Sequence, residues 1–155
     1  MDDVSPGSYE IFVVDDHPLV RQEIRNIIEA SSDLHILAEL QDGLELLECL
    51  KRRVPHLIIL DISMPRLGGI EATRMIKASC PRTRVLILTL HNRREYLAQA
   101  VQAGAEGYLL KEELDKELLS AIAAIRKGYR YRSPLMRDHG VTAPPAPGFR
   151  ANSPT

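Results

Sequence analysis

The sequence is poor in the features that mark membrane, secreted or nucleic-acid-binding chains. No apolar run reaches the ~18 residues of a membrane span. The opening MDDVSPGSYE is acidic and lacks the basic and apolar regions of a secretory signal, so a cytoplasmic protein is expected. The formal net charge is only -1, which gives no whole-chain pull toward nucleic acid or an anionic membrane. Cysteine is scarce. Cys49 and Cys80 lie in helix-like or helix-end segments, and two reduced thiols are expected rather than a disulfide. The histidines at 17, 35, 56, 91 and 139 have no metal-ligand spacing, and no internal repeat is visible.

What is present is an ordinary globular composition, 45% hydrophobic and 26% charged over 155 residues, enough for one domain with a remainder. Apolar runs at 11–14, 57–60 and 85–88 are continuous rather than alternating, as in strands buried on both faces of a parallel sheet. Residues 35–40 and 107–110 read as two more strands. Helical spacing fills the gaps: Val20, Ile24, Ile27 and Ile28; Leu46, Leu47, Leu50 and Val54; the segment 70–77; Leu97, Ala100, Val101 and Gly104; Leu114, Leu118, Ala121, Ile122 and Ile125. Gly104 reads as a helix C-cap, and Gly68 and Gly69 as parts of a tight loop shaped by Pro65. The alternation predicts an α/β fold, a flavodoxin-like (βα)5 doubly wound parallel sheet with strand order 2-1-3-4-5. We expect a lead at 1–8, the domain at 9–131, and a Pro-rich linker or tail at 132–155, which holds five of the ten prolines.

Polar residues follow the strands in a fixed pattern: Asp15-Asp16 after the first, Asp61 after the third, Thr89 after the fourth, Lys111 after the fifth. Ligands of open α/β sheets bind outside the carboxyl ends of the strands, where the strand order reverses. In the order 2-1-3-4-5, Asp15, Asp16 and Asp61 converge at that switch point. Three neighbouring carboxylates repel unless cations compensate, and an oxygen cluster suits Mg²⁺. With Lys111 and a hydroxyl beside it, the site suits phosphoryl transfer, with a carboxylate as nucleophile. Read singly, Asp61 is a turn or capping aspartate, Asp15 or Asp16 caps the helix near Pro18, Thr89 is a strand-end residue and Lys111 is solvated. Their order along the chain favours the joint reading.

The set DD (15–16), LDISMPRLGG (60–69), LTLH (88–91) and GYLLK (107–111) resembles the receiver domain of two-component response regulators. The phrases RQEI, GIEATRMIKA, QAGAEGYLLK and GYRYRSP resemble its NarL/FixJ subgroup. The resemblance implies Asp61 as phosphoacceptor, and Asp15, Asp16, Asp61 and the Ser63 backbone carbonyl as Mg²⁺ ligands. It implies Lys111 and Thr89 as phosphate contacts and Tyr108 as the aromatic that moves with Thr89; the plain alternative for Tyr108 is a half-exposed strand residue. Ser63 and His91 flank the phosphoryl group and would set its lifetime, here a moderate one. For His17, beside the acidic pair, a capping or surface role is the simpler reading.

The implied partners are a sensor histidine kinase and, on phosphorylation, a second copy through helices 1 and 5 or through helix 4 with strand 5. DNA would be reached only through a helix-turn-helix output domain, and residues 132–155 carry no recognition-helix pattern. A fragment of a longer transcription regulator is favoured over a stand-alone receiver acting by protein contacts. The chain is expected to be a switch and not an enzyme. A phosphoaspartate hydrolase would carry an acid two residues after its nucleophile, where this chain has Ser63. Glu112 follows Lys111 where many receivers of other subgroups have proline, which leaves the role of the lysine untouched.

Overall fold

A computed structural model of the protein describes residues 7–139; most of the expected N-terminal lead and Pro-rich tail lie outside the described residues. The continuous apolar runs become β1 (Tyr9–Val14), β3 (Leu57–Asp61), β4 (Arg84–Thr89) and β5 (Gly107–Leu110), with the more exposed β2 (Leu34–Leu40) at one edge. Between them run α1 (Pro18–Glu29), α2 (Gly43–Leu50), α3 (Gly69–Ser79) and α4 (Arg94–Ala103), and α5 (Leu114–Arg126) follows a 3-10 turn over Lys111–Glu113.

The strands are parallel and the order is β2-β1-β3-β4-β5, the expected doubly wound sheet, with one strand added beyond β5. Successive side chains along a strand point to opposite faces, so each apolar run feeds two cores. Phe12, Val14, Ile58, Leu60, Val85 and Ile87 pack under α2, α3 and α4 with Leu46, Ile76 and Leu97. Ile11, Val13, Leu57, Ile59, Leu86 and Leu88 pack under α1 and α5 with Ile24, Leu118 and Ile122. Each such buried side chain contributes roughly 1.5–3 kcal/mol of transfer free energy, so the two cores hold the strand ends in register.

Three local features differ from the expectation. The added strand, β6 (Tyr131–Arg132), pairs with β5, and the chain continues as a 3-10 turn over Pro134–His139. Ser133 and Met136, which composition assigned to a tail, are both fully buried. Helix α2 ends at Leu50, and Val54 is left exposed beyond it. Pro55 follows Val54, and the residue before a proline is driven out of helical backbone. Neither acid of the 15–16 pair caps α1: its N-cap is His17, with no side-chain cap bond. Gly104 ends α4 at φ 102, as expected of a left-handed C-cap. Both cysteines are free.

Candidate functional site

The register sets the strand ends level. Val14 pairs with Leu60, Asp61 with Leu88, and Thr89 with Leu110, so the residues at or just after these ends share one rim of the sheet. Asp15, Asp61, Thr89 and Lys111 are all buried there. Close packing under the rim holds it in place: a side chain at Gly69 would put its Cβ 2.3 Å from the Asp61 carbonyl oxygen. Only glycine lets α3 start so near the strand it follows.

Lys111 Nζ lies 2.9 Å from Asp15 Oδ2 and 3.2 Å from Asp61 Oδ1, bridging the two buried acids. Asp61 Oδ1 also accepts from the Ser63 amide at 3.3 Å. Asp61 Oδ2 is buried and has no hydrogen-bond partner among the described residues. Burial, and next the charge of Asp15, push the Asp61 carboxyl up to about 6, against the opposing pull of Lys111 and the Ser63 amide. One lysine does not balance this many acids.

Oxygens of Asp15, Asp16 and Asp61 lie with a His17 ring nitrogen within 4.8 Å of one another. That carboxylate set, with one buried oxygen unpartnered, fits a hard divalent cation such as Mg²⁺. His17 is the residue the spacing argument passed over. Its Nδ1 is 2.7 Å from Asp15 Oδ1 and 3.1 Å from Asp16 Oδ1, and its backbone amide donates to Asp15 Oδ1 at 2.9 Å. The only sequence signal was adjacency, DDH, since metal-spacing rules look for paired ligands along one element.

Thr89 and Tyr108 stand on neighbouring strands. The Thr89 hydroxyl accepts from the His91 amide at 2.9 Å. Tyr108 is 2% exposed and not half-exposed; its hydroxyl lies beside Thr89 without a hydrogen bond of good geometry, and burial pushes it up to about 12. The exposed His91 ring leans on Tyr96 of α4, with centroids 5.1 Å apart, and Ser63 is exposed beside the acids. Behind Tyr108 lies the unforeseen strap: the Ser133 amide donates to the Tyr108 carbonyl at 2.9 Å, and Ser133 Oγ accepts from Leu110 at 2.8 Å.

With this rim described, the comparisons with known proteins decide the family. Residues 11–123 match the response regulator receiver domain family. The chain belongs to that family. Over 118 residues it is 40% identical to an uncharacterized transcriptional regulatory protein, YxjL, of Bacillus subtilis (strain 168), covering 76% of this chain and 54% of that protein. Over 121 residues it is 36% identical to the response regulator UvrY of Escherichia coli (strain K12), covering 78% of this chain and 56% of that one. A crystal structure of a LuxR-family two-component response regulator from Aurantimonas sp. SI85-9A1 superposes with a TM-score of 0.81 at 36% identity, over 85% of this chain and 94% of that chain. The receiver therefore spans about half the length of the curated relatives it matches. Receiver domains of this family are signalling switches, and among the described residues no helix is long and apolar enough to cross a membrane.

Proposed function

We propose that the chain is a phosphorylation-activated receiver: Asp61 takes a phosphoryl group from a phosphohistidine of a sensor histidine kinase and thereby switches an output domain or partner in transcription regulation. Asp15, Asp16, Asp61 and the Ser63 backbone carbonyl would hold Mg²⁺, which supplies charge neutralisation of the phosphoryl oxygens. The remaining work falls to the chain's own side chains. An Asp61 oxygen forms a bond to phosphorus as the P–N bond breaks, and the electron pair leaves with the donor imidazole. Lys111, already 3.2 Å from Asp61, meets a phosphoryl oxygen. Transfer between two side chains in line needs positioning and charge stabilisation more than covalent help.

The product carries about -1.5 to -2 charge and three acceptor oxygens. Thr89 answers it by turning its hydroxyl toward the phosphate, which requires release of the His91 amide that it now accepts. Tyr108, next to Thr89 and backed by Ser133, follows and alters the face formed by α4 and β5. Ser63 and His91, both exposed at the mouth, govern the access of attacking water and hence the lifetime of the phosphate. The transcription role, a homodimer on phosphorylation, DNA contact through an output domain, and work in the cytoplasm follow from the likeness to transcriptional regulators that are about twice as long.

The observation that supports this reading best is Asp61 itself, a buried carboxylate with one oxygen unpartnered beside a lysine and two further acids. Incubation with Mg²⁺ and acetyl phosphate, followed by intact-mass measurement, tests it. A single phosphate adduct on the wild type, absent from Asp61→Asn, is the expected result. No adduct on the wild type would refute the receiver function, and steady turnover of phosphomonoesters would make the chain a hydrolase.

A further inference from the structure

The phrase GYRYRSP carries none of the chemistry assigned to the rim, yet it supplies the strap behind β5. Tyr131 and Arg132 make the ladder pairs with Gly107 and Tyr108, and Pro134 opens the 3-10 turn that follows. Ser133 stands between them, fully buried, where the ladder stops. Its amide continues the pattern by donating to the Tyr108 carbonyl at 2.9 Å. In a parallel ladder the next bond would run from the Leu110 amide to the Ser133 carbonyl. That carbonyl is already committed, accepting from the Met136 amide at 2.8 Å as the chain turns. The Ser133 hydroxyl takes its place: Oγ accepts from the Leu110 amide at 2.8 Å.

Leu110 matters because of what is attached to it. It is the register partner of Thr89 across the sheet and the residue before Lys111 along the chain, so both side chains that meet the phosphoryl group hang on its position. Leu110 and Ser133 are fully buried, and a Leu110 amide without this acceptor would be cut off from water. The strand end recovers a partner only by shifting, and Lys111, which starts the next turn, shifts with it. The lysine has little slack, for its buried ammonium lies 2.9 Å from Asp15 and 3.2 Å from Asp61. Transfer that depends on positioning and charge is sensitive to such movement, and a misplacement of about 1 Å can slow a reaction by as much as ~100-fold.

We propose that Ser133 is a positioning residue for phosphoryl transfer: its hydroxyl, standing in for a ladder carbonyl, holds Leu110 and thereby sets Lys111 and Thr89 around the phosphoryl group on Asp61. The serine touches none of the reacting atoms and acts through the backbone of β5. The inference rests on the reading of Asp61 as phosphoacceptor, and it adds to that site a residue of the strap on the far side of the strand.

The test compares wild type, Ser133→Ala and Met136→Ala in the rate of phosphate uptake from acetyl phosphate with Mg²⁺, followed by intact mass over a series of donor concentrations. All three are held at a temperature where circular dichroism shows them folded. Ser133→Ala removes the acceptor for Leu110 and should lower the maximal rate about three- to tenfold, with the half-saturating donor concentration changed by less than about twofold. Met136→Ala takes packing from the same strap, where Met136 is fully buried, and leaves the Leu110 bond in place. Its maximal rate should stay within about twofold of wild type. A Ser133→Ala rate equal to wild type overturns the inference. So does a Met136→Ala rate as slow as that of Ser133→Ala, since the effect then belongs to a loosened strap, and so does a change confined to half-saturation. In each of these cases phosphate uptake by the wild type leaves the receiver reading standing. No adduct on the wild type overturns that reading and the inference together.

Discussion

The two ends of the sheet handle buried polar groups in opposite ways. At the amino end of the strands, Glu106 accepts from the Val85 amide at 2.8 Å and pairs with Lys77, which also donates to the Thr83 carbonyl at 2.7 Å. Thr83 in turn donates to the Pro55 carbonyl at 2.9 Å, and Arg84 donates to the Ile125 carbonyl at 2.8 Å. At the carboxyl end, Lys111 meets one oxygen of Asp15 and one of Asp61, while Asp61 Oδ2 and the Tyr108 hydroxyl are buried without a hydrogen bond of good geometry among the described residues. Buried polar groups are normally satisfied, and each exception calls for a cause. Here the exceptions lie on or beside the rim that carries the three acids and Lys111. One rim holds the fold, and the other holds unspent bonding capacity.

The sharpest way to break this contrast is Asp61→Asn. It should abolish phosphorylation outright, read by intact mass, while raising the stability of the metal-free protein. The sign follows from the raised carboxyl. An acid held up to about 6 in the fold costs nothing below its ordinary value of 3.8 and progressively destabilises the fold as pH rises through 6. At pH 7 the variant should gain on the order of 1–3 kcal/mol in chemical denaturation, with the gain fading below about pH 4. An asparagine variant that is less stable than wild type at pH 7 would show that the carboxyl end is satisfied after all.

The mirror-image change is Glu106→Gln. It takes the carboxylate partner from the part-buried Lys77, which keeps its bond to the Thr83 carbonyl, and should cost about 1–3 kcal/mol, with phosphorylation of Asp61 retained at temperatures where the variant is folded. Loss of phosphorylation with stability intact would erase the division of labour between the rims.

Ser133→Ala sharpens the contrast at its border. It removes the acceptor for the Leu110 amide, one residue before Lys111, and should cost about 1–2 kcal/mol. Amide hydrogen exchange should quicken at Leu110 and neighbouring residues of β5 before it does in β1 or β3. Uniform acceleration across the sheet would deny the strap a local role.

The smallest effect is at Asp42. It caps α2 by accepting from the Glu45 amide at 2.9 Å and pairs with Arg66, whose φ of 68 puts a non-glycine residue in left-handed backbone. The Glu45 amide, helped by Arg66, holds the Asp42 carboxyl below its usual range in spite of burial. Its contribution is therefore present above about pH 4 and is lost as pH falls through the lowered value. Asp42→Ala should cost about 1 kcal/mol at pH 7 in thermal denaturation, and the difference from wild type should shrink in acid. A difference independent of pH would remove the charge from the account.

Much of this is legible in the sequence. Strands β1, β3 and β4 declared themselves because a strand buried on both faces must be apolar at every position, and the acids, the threonine and the lysine stood out by following such runs. Strand β6 was hidden for a physical reason: two residues carry no periodicity, and Tyr131–Arg132 become a strand only because β5 offers a free edge. Ser133 and Met136 read as tail because their neighbours are prolines and polar residues, and burial at a single position depends on what folds over it. Val54 kept the helical spacing of α2, but the backbone restriction imposed by Pro55 overrode it.

The sequence by itself determined the order of elements, the two-sided cores and the chemical types that end each strand, because these are set by local periodicity and composition. Only the tertiary structure decided that His17 joins the acids, that Tyr108 is buried against a strap, and that one Asp61 oxygen is left unpartnered. Each of these depends on distances between residues far apart in the chain or on the rotamer of a single side chain. Those are properties of packing, and no local pattern in the sequence encodes them.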